Sequence, residues 1–366
     1  MLRTRQKYMG LRAIAVLATA ALAVVLAAPA MADTPPAQAQ RRLRVATYNL
    51  YIGANLAPLL MAPPEAIPEM AGDIWEHVQA TDFRIRAEAI ADLIVEEHPY
   101  LVGLQEVALW QTGPSPGTLT TRYDFLQILL DELAERGAPY EATAVNPFLT
   151  GMLPMSTDAT PDTWVRFTDR NAIIKRADLE DETLFVTNPV SAVFDADIDL
   201  TILGQPFSVT RGYATVDVQF RGKWIRFATT QPEAYSVDIR KLQAHELVET
   251  LATSPYDVVL AGDINSERDF TGDSYQILTA AGYSDVWTET MPGVPDYTAS
   301  FGDDLVGPPT ELDHTVDYVL RSAVGTIDGV EGEGEIIGEE VDDQTSTGWW
   351  PSDHAGVATT VRIVKD

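Results

Sequence analysis

The 366-residue chain contains no cysteine, which excludes a disulfide scaffold, a thiolate zinc site and a cysteine nucleophile. Histidine is scarce. His77, His98, His245, His314 and His354 are all there is, too few for a multi-histidine metal cage. Basic side chains are outnumbered, with 25 Lys and Arg against 54 Asp and Glu and a formal charge of −29. Such a surface repels polyanions, whereas a protein relying on nucleic-acid affinity normally carries a basic stripe. What the chain has in excess is carboxylate oxygen, so any metal it holds should be a hard cation. At 46% hydrophobic and 22% charged, the composition is that of a folded globule and excludes collagen-like, coiled-coil and wholly disordered chains.

The first thirty-two residues read as a secretory leader. Arg3, Arg5, Lys7 and Arg12 precede an apolar run from Ala13 to Ala28, and Ala30-Met31-Ala32 supplies a small-x-small cleavage pattern. The run is short against the roughly twenty residues of a membrane anchor, and no later stretch is long and apolar enough to cross a bilayer. Cleavage after Ala32 makes the protein secreted and extracellular. It removes four basic residues and no acidic ones, leaving 21 against 54 and a formal charge of −33. Residues 33–42 form a flexible tether, and 43–366 form one domain with no internal linker or repeat.

Within that domain Leu43–Leu50 is an apolar, β-leaning run, and residues 53–80, with Pro58, Pro63, Pro64 and Pro68, read as irregular. A helix is expected from Asp82 to His98-Pro99, capped by Thr81 or Asp82. Tyr100–Val107 is strand-like, 124–136 helical, and 146–163 a loop rich in Pro, Thr and Asp. Strands follow at 171–175, 183–187, 213–220 and 224–230, the last two joined by Arg221-Gly222-Lys223 as a tight hairpin. A helix at 236–252 leads to Asp257–Ala261, and 316–320 and 355–363 are further strands. Mixed strands and helices of this kind give an α/β (α+β) chain whose two sheets pack face to face with helices outside.

Polar residues that close buried strands are placed where a site can be built. Asn49 ends one such run, Glu106 another, and Asp263 and Asn265 close DVVLAGDIN. Asp317 lies in TVDYVL, and Asp353 and His354 precede the last strand. Taken singly, each has a bland reading as a turn residue, a helix cap or a structural histidine.

Together and in this order, the strings TYNL, LQEV, GDIN, DYVL and SDH resemble the endonuclease/exonuclease/phosphatase superfamily, in its secreted bacterial, DNase-like form. The resemblance spans Asn49 to His354. It implies a four-layered sandwich with a divalent-metal site at one edge of the paired sheets, and a phosphodiester substrate drawn from nucleic acid, phospholipid or a small molecule. Glu106 then resembles the main Mg²⁺ ligand, Mn²⁺ or Ca²⁺ being alternatives, with Asn49 and Asp353 beside it. Asp263 corresponds to the group that orients or deprotonates water, Asn265 to a phosphate ligand, and Asp317 to the carboxylate paired with His354. No stable protein partner is implied, and a monomer is expected.

One position departs from the pattern. FATTQPEA over 227–234 places Gln231 where relatives carry a histidine that helps protonate the leaving oxygen. Glutamine can donate a hydrogen bond but cannot deliver a proton near neutral pH, and a lost general acid costs roughly 10²–10⁴-fold. The chain is therefore either a slowed enzyme or a non-catalytic descendant that binds metal or phosphate. His314 is a substitute donor or a surface turn residue. Trp349 and Trp350 either stack substrate at a rim or pack under the final strand. The basic residues between Arg166 and Arg226 either face phosphate or alternate along outer strand faces.

Overall fold

A computed structural model of the chain describes residues 41–60, 62–157, 163–322, 327–330 and 334–363. The expected leader, its cleavage site and the tether up to residue 40 lie outside these residues. Seventeen strands are described: β1 Arg41–Asn49, β2 Leu101–Gln105, β3 Leu109–Gly113, β4 Thr120–Asp124, β5 Tyr140–Met155, β6 Thr163–Arg176, β7 Leu184–Val193, β8 Ile198–Ile202, β9 Gln205–Val209, β10 Gly212–Phe220, β11 Lys223–Gln231, β12 Val258–Asp263, β13 Tyr283–Asp285, β14 Asp317–Ser322, β15 Ile327–Val330, β16 Glu335–Ile337 and β17 Gly356–Ile363. The α-helices are α1 Ala57–Leu60, α2 Ile67–Ala80, α3 Phe83–Glu97, α4 Phe125–Glu135, α5 Val237–Ala252, α6 Ser274–Ala280 and α7 Val286–Thr290.

The strands form a nine-stranded sheet ordered β15-β17-β1-β2-β6-β3-β4, with β16 on β17 and β5 on β6, and a six-stranded sheet ordered β13-β14-β12-β11-β10-β7. β8 and β9 make a separate hairpin. Side-chain alternation along the strands sorts the apolar residues into three layers. On β1, Leu43 and Val45 enter the layer between the sheets, while Ala46 and Tyr48 pack with residues of α2, α3 and α4. On β12, Val259 and Ala261 face the other sheet, while Val258 and Leu260 meet Leu247 and Leu251 of α5. Helices outside two stacked sheets make the four-layered sandwich expected from the sequence. Among the described residues no helix is long and apolar enough to cross a membrane.

Local rules account for most boundaries. Asp82 caps α3 by accepting from Arg84 N at 3.2 Å, and His98 closes it in the left-handed region at φ 49°. Ser236 caps α5 through Ile239 N at 3.4 Å. Arg221 (φ 48°) and Gly222 (φ 81°) make the two-residue turn between β10 and β11, with positive φ at both positions as a type I′ turn requires.

Three expectations need correction. Residues 67–80 are helical, because Pro68 lies in the first turn of α2, where its missing N–H is not needed. Residues 146–155 continue β5, with Pro147 beside a register shift against β6, a position that tolerates proline. Arg41 and Arg42, expected in the tether, already belong to β1 and pair with Ile363 and Arg362.

Candidate active site at the paired sheet edge

β1 and β2 run parallel, as do β11 and β12, while β14 and β17 run antiparallel to their neighbours β12 and β1. The C-terminal ends of the first four therefore share one edge with the N-terminal ends of the last two. Beneath that edge the sheets come unusually close at Gly103, where a Cβ would meet Ala261 O at 2.5 Å and Thr229 Oγ1 at 2.8 Å. Gln105 bridges the gap, donating to Thr229 Oγ1 at 2.8 Å and accepting from Thr47 Oγ1 at 3.1 Å. Asn49 shares the inward face of Thr47, so its amide reaches the second sheet.

Four side chains interlock there. Asn49 Nδ2 donates to Glu106 Oε1 at 3.1 Å and to Asp263 Oδ2 at 3.2 Å. Gln231 Nε2 donates to the same two oxygens, at 2.9 and 3.2 Å. The other oxygen of Glu106 accepts from Ile52 N at 2.9 Å, and Asn49 Oδ1 accepts from Tyr51 N at 3.0 Å. Tyr51, Glu106 and Asn265 all adopt positive φ, between 52° and 55°. Such non-glycine conformations are costly and persist where the surroundings enforce them.

Beside this quartet Asp317 is opposite Asp263 in the β12–β14 register, and its Oδ2 lies 2.8 Å from His354 Nδ1. Asp263, Asp317 and His354 offer ligand atoms within 4.8 Å of one another, a group able to hold a metal ion. Burial works against a charge on His354, but the Asp317 carboxylate outweighs it and raises the imidazole well above its usual range. Ser352 Oγ donates to Asn49 O at 2.7 Å and accepts from His354 N at 3.2 Å, tying the SDH loop to the end of β1. Asp353 is half-buried and lines the same cavity as Glu106.

Of the remaining expected residues, Asn265 is tied directly to the cluster. Asn265 N donates to Asp263 Oδ1 at 2.9 Å, and Asn265 Nδ2 donates to Pro232 O at 3.0 Å, which leaves its second amide hydrogen uncommitted among the described residues. His314 is a partly exposed residue whose Nδ1 lies 2.7 Å from Asp313 Oδ1. Trp350 is fully buried, stacked on Phe301 at 4.2 Å with Nε1 donating to Gly307 O, and Trp349 packs against the layer between the sheets. Trp350 is therefore a core residue, and Trp349 packs half-buried beside that core. Of the basic residues between Arg166 and Arg226, Arg170 pairs with Asp124, Lys175 with Glu141, Arg176 with Asp178 and Arg226 with Asp217, while Arg211 lines the cavity beside Glu106.

A divalent cation suits this donor set. Burial pushes the Asp263 carboxyl up to about 6, reinforced by Asp317 and opposed by His354. Burial likewise pushes Asp353 up to about 7, with Glu106 adding to it and His354 opposing. The buried Asp317 Oδ1 has no hydrogen-bond partner. Crowded hard oxygens short of positive charge are what Mg²⁺, Mn²⁺ or Ca²⁺ would relieve.

Sequence reasoning missed Arg86 and Asp169, and read Arg211 only as one of a stretch of basic residues. Arg86 is fully buried and donates to Leu50 O (2.7 Å), Tyr51 O (3.0 Å), Pro351 O (3.0 Å) and Thr81 O (2.9 Å), joining the loop after β1 to the one before Asp353. A basic residue between Phe83 and Ile90 on the apolar stripe of α3 was the available signal. Arg211 donates to Gln231 Oε1 at 3.2 Å and to the fully buried Glu233 at 3.3 Å. Asp169, buried on β6, has its carboxyl pushed up to about 8 by burial and by Glu106, against the pull of Arg211.

The fold and the sequence both have known counterparts. Humanised D. rerio TDP2, carrying 14 mutations, is 16% identical, with a TM-score of 0.52 over 88% of this chain and 99% of that one. An endonuclease/exonuclease/phosphatase family protein from Bacteroides thetaiotaomicron is 15% identical, with a TM-score of 0.53 over 89% and 96%. D. rerio TDP2 complexed with a single-strand DNA product is 16% identical, with a TM-score of 0.50 over 87% and 98%. At such identities the likeness concerns the fold alone. No curated protein sequence matches the chain. The model of the Endonuclease/Exonuclease/phosphatase family does match, over residues 46–354; with that span covering every strand end that carries the cluster, the chain belongs to this family, whose members are typically metal-dependent phosphoester hydrolases.

Proposed function

We propose that the protein is a secreted, divalent-metal-dependent phosphodiesterase, with Mg²⁺ the first choice and Mn²⁺ or Ca²⁺ substitutes. The observation that carries this reading is the interlocked quartet of Asn49, Glu106, Gln231 and Asp263 next to the Asp317–His354 pair. Glu106 and Asp353 would hold the cation. Asn49 turns its amide nitrogen to the carboxylates, so in this arrangement it orients Glu106 directly and reaches a cation through water. When bound, the ion polarises a phosphoryl oxygen and offsets the charge developing on it.

The chain's own groups supply the rest. Asp263, its carboxyl raised to about 6, orients a water and as the carboxylate can accept its proton. Asn265 has an amide hydrogen to spare for a phosphate oxygen. Asp317 fixes the ring of His354 and keeps it charged, so the imidazolium grips phosphate or passes a proton from Nε2. Gln231 donates hydrogen bonds and moves no proton. The leader at residues 1–32 supports export.

The test is hydrolysis of bis(p-nitrophenyl) phosphate with and without chelator, using Glu106→Gln as control. Metal-dependent turnover that the substitution abolishes supports the reading. Turnover indifferent to both points to a contaminant and favours the second reading, a descendant that binds metal or phosphate without catalysis. Gln231 in a histidine's place is the observation behind that second reading.

A further inference from the structure

A cavity of about 500 Å³ opens from the carboxylate cluster, and most of its wall lies beyond the groups assigned to the phosphoester chemistry. Glu106, Asp353 and Arg211 line one part of it. Most of the rest is apolar, with Leu149 and Leu153 from β5, Val165 and Phe167 from β6, Leu59 from α1 and Phe207 from the β8–β9 hairpin, and with Asn55, Asp169, Gln205 and Asp303 among the polar exceptions. Alternation puts Leu149 and Leu153 on the same face of the β5–β6 ladder as Val165 and Phe167. Met152 and Leu203, also in the lining, are among the large apolar side chains left exposed to solvent.

We propose that this cavity takes the apolar arm of the substrate, a single alkyl or acyl chain of a lipid-like phosphodiester, while its phosphate lies against Glu106 and Asp353. Where the phosphate sits rests on the phosphodiesterase reading. The volume falls within the range of small-molecule sites. Charge decides between a tail and a nucleic-acid strand. A bound strand needs cations along its phosphates and aromatic platforms for its bases. Here the lining cation is Arg211, already paired with Glu233 and Gln231; the lining is mainly aliphatic, and of its rings Tyr51, Trp110 and Phe167 are buried in the core with no free face for a base. An alkyl arm needs neither cation nor platform, and it covers apolar surface that water otherwise wets.

The experiment is calorimetric titration of the Mg²⁺-loaded protein with methyl, butyl and octyl phosphate below micellar concentrations. Affinity is expected to tighten by about fourfold per added methylene until the cavity fills, with a heat-capacity change that grows more negative along the series. Gly151 lines the cavity, and a Cβ there would sit 3.7 Å from the Phe207 ring, so Gly151→Val fits the fold and occupies the tail's space. It should cut the octyl-to-methyl affinity ratio at least tenfold, and Phe207→Asn should lower it as well. Affinity independent of chain length, a length response untouched by both variants, or a trinucleotide that outcompetes octyl phosphate would overturn the proposal. Hydrolysis of bis(p-nitrophenyl) phosphate reports on the catalytic reading separately, so indifference to chain length in an active enzyme overturns the cavity assignment alone.

Discussion

Arg211 Nη1 donates to Gln231 Oε1 at 3.2 Å, and this contact decides which end of the amide faces Glu106 and Asp263. A guanidinium only donates and a carboxylate only accepts, so the amide oxygen must turn to Arg211 and the nitrogen to the carboxylates. The glutamine is held from both sides, as a bridge between Arg211 and the two carboxylates.

That bridge sets the expected result for Gln231→His. An imidazole there would regain a protonatable group but would face Arg211, whose charge disfavours the imidazolium. Turnover of alkyl phosphodiesters should rise by roughly tenfold, short of the 10²–10⁴ that a general acid usually contributes. Aryl diesters, with a good leaving group, should change little. Initial rates on matched alkyl and aryl substrates check this, and equal gains on both would show that leaving-group protonation is not what position 231 governs.

Arg86 offers a test of the scaffold. Arg86→Met removes the donors of four backbone carbonyls at once, and buried acceptors left without partners cost about 1–3 kcal/mol each before relaxation. A loss of about 4 kcal/mol in denaturant unfolding is expected. Arg86→Lys should recover less than half of it, because an ammonium cannot span the same fork. Mg²⁺ affinity should fall in both variants, since Arg86 joins the loops on either side of the site. Unfolding curves that superimpose on the wild type would refute the role.

Asp169 predicts a pH dependence. Its carboxyl is raised to about 8 from an ordinary 3.8, so between pH 4 and 8 the folded protein keeps a proton that the unfolded chain releases. The stability this group contributes is complete below pH 4 and is lost as pH rises toward 8, by about 1.4 kcal/mol per pH unit. Asp169→Asn removes that slope without changing shape. The variant should gain little over wild type at pH 4.5 and progressively more up to pH 8, read as a Tm difference across the series. A constant difference would mean that Asp169 is ionised in the fold.

The strand ends that carry chemistry were legible in the sequence because each closes an apolar run. Asn49 and Asp263 end buried strands, Glu106 follows one and Asp317 begins one, and a polar residue in such a place is a local signal. The outer α2 and the extension of β5 were not legible, since their prolines read as breakers until a first helical turn and a bulge beside β6 accommodate them. Arg86, Arg211 and Asp169 act through partners far along the chain. Arg86 meets Pro351 O across 265 residues, and no local window holds both. The cavity is assembled from α1, β5, β6 and the β8–β9 hairpin, so it exists only in the folded chain.

The central claim is that a divalent cation held by the Glu106 cluster drives phosphodiester hydrolysis. It is tested most directly by adding Mg²⁺ back to chelated protein while following bis(p-nitrophenyl) phosphate cleavage, alongside calorimetric binding of the same ion. The rate should rise from background along the binding isotherm, and Glu106→Gln should abolish the rise. A rate that ignores added metal, or that survives Glu106→Gln unchanged, would contradict the account.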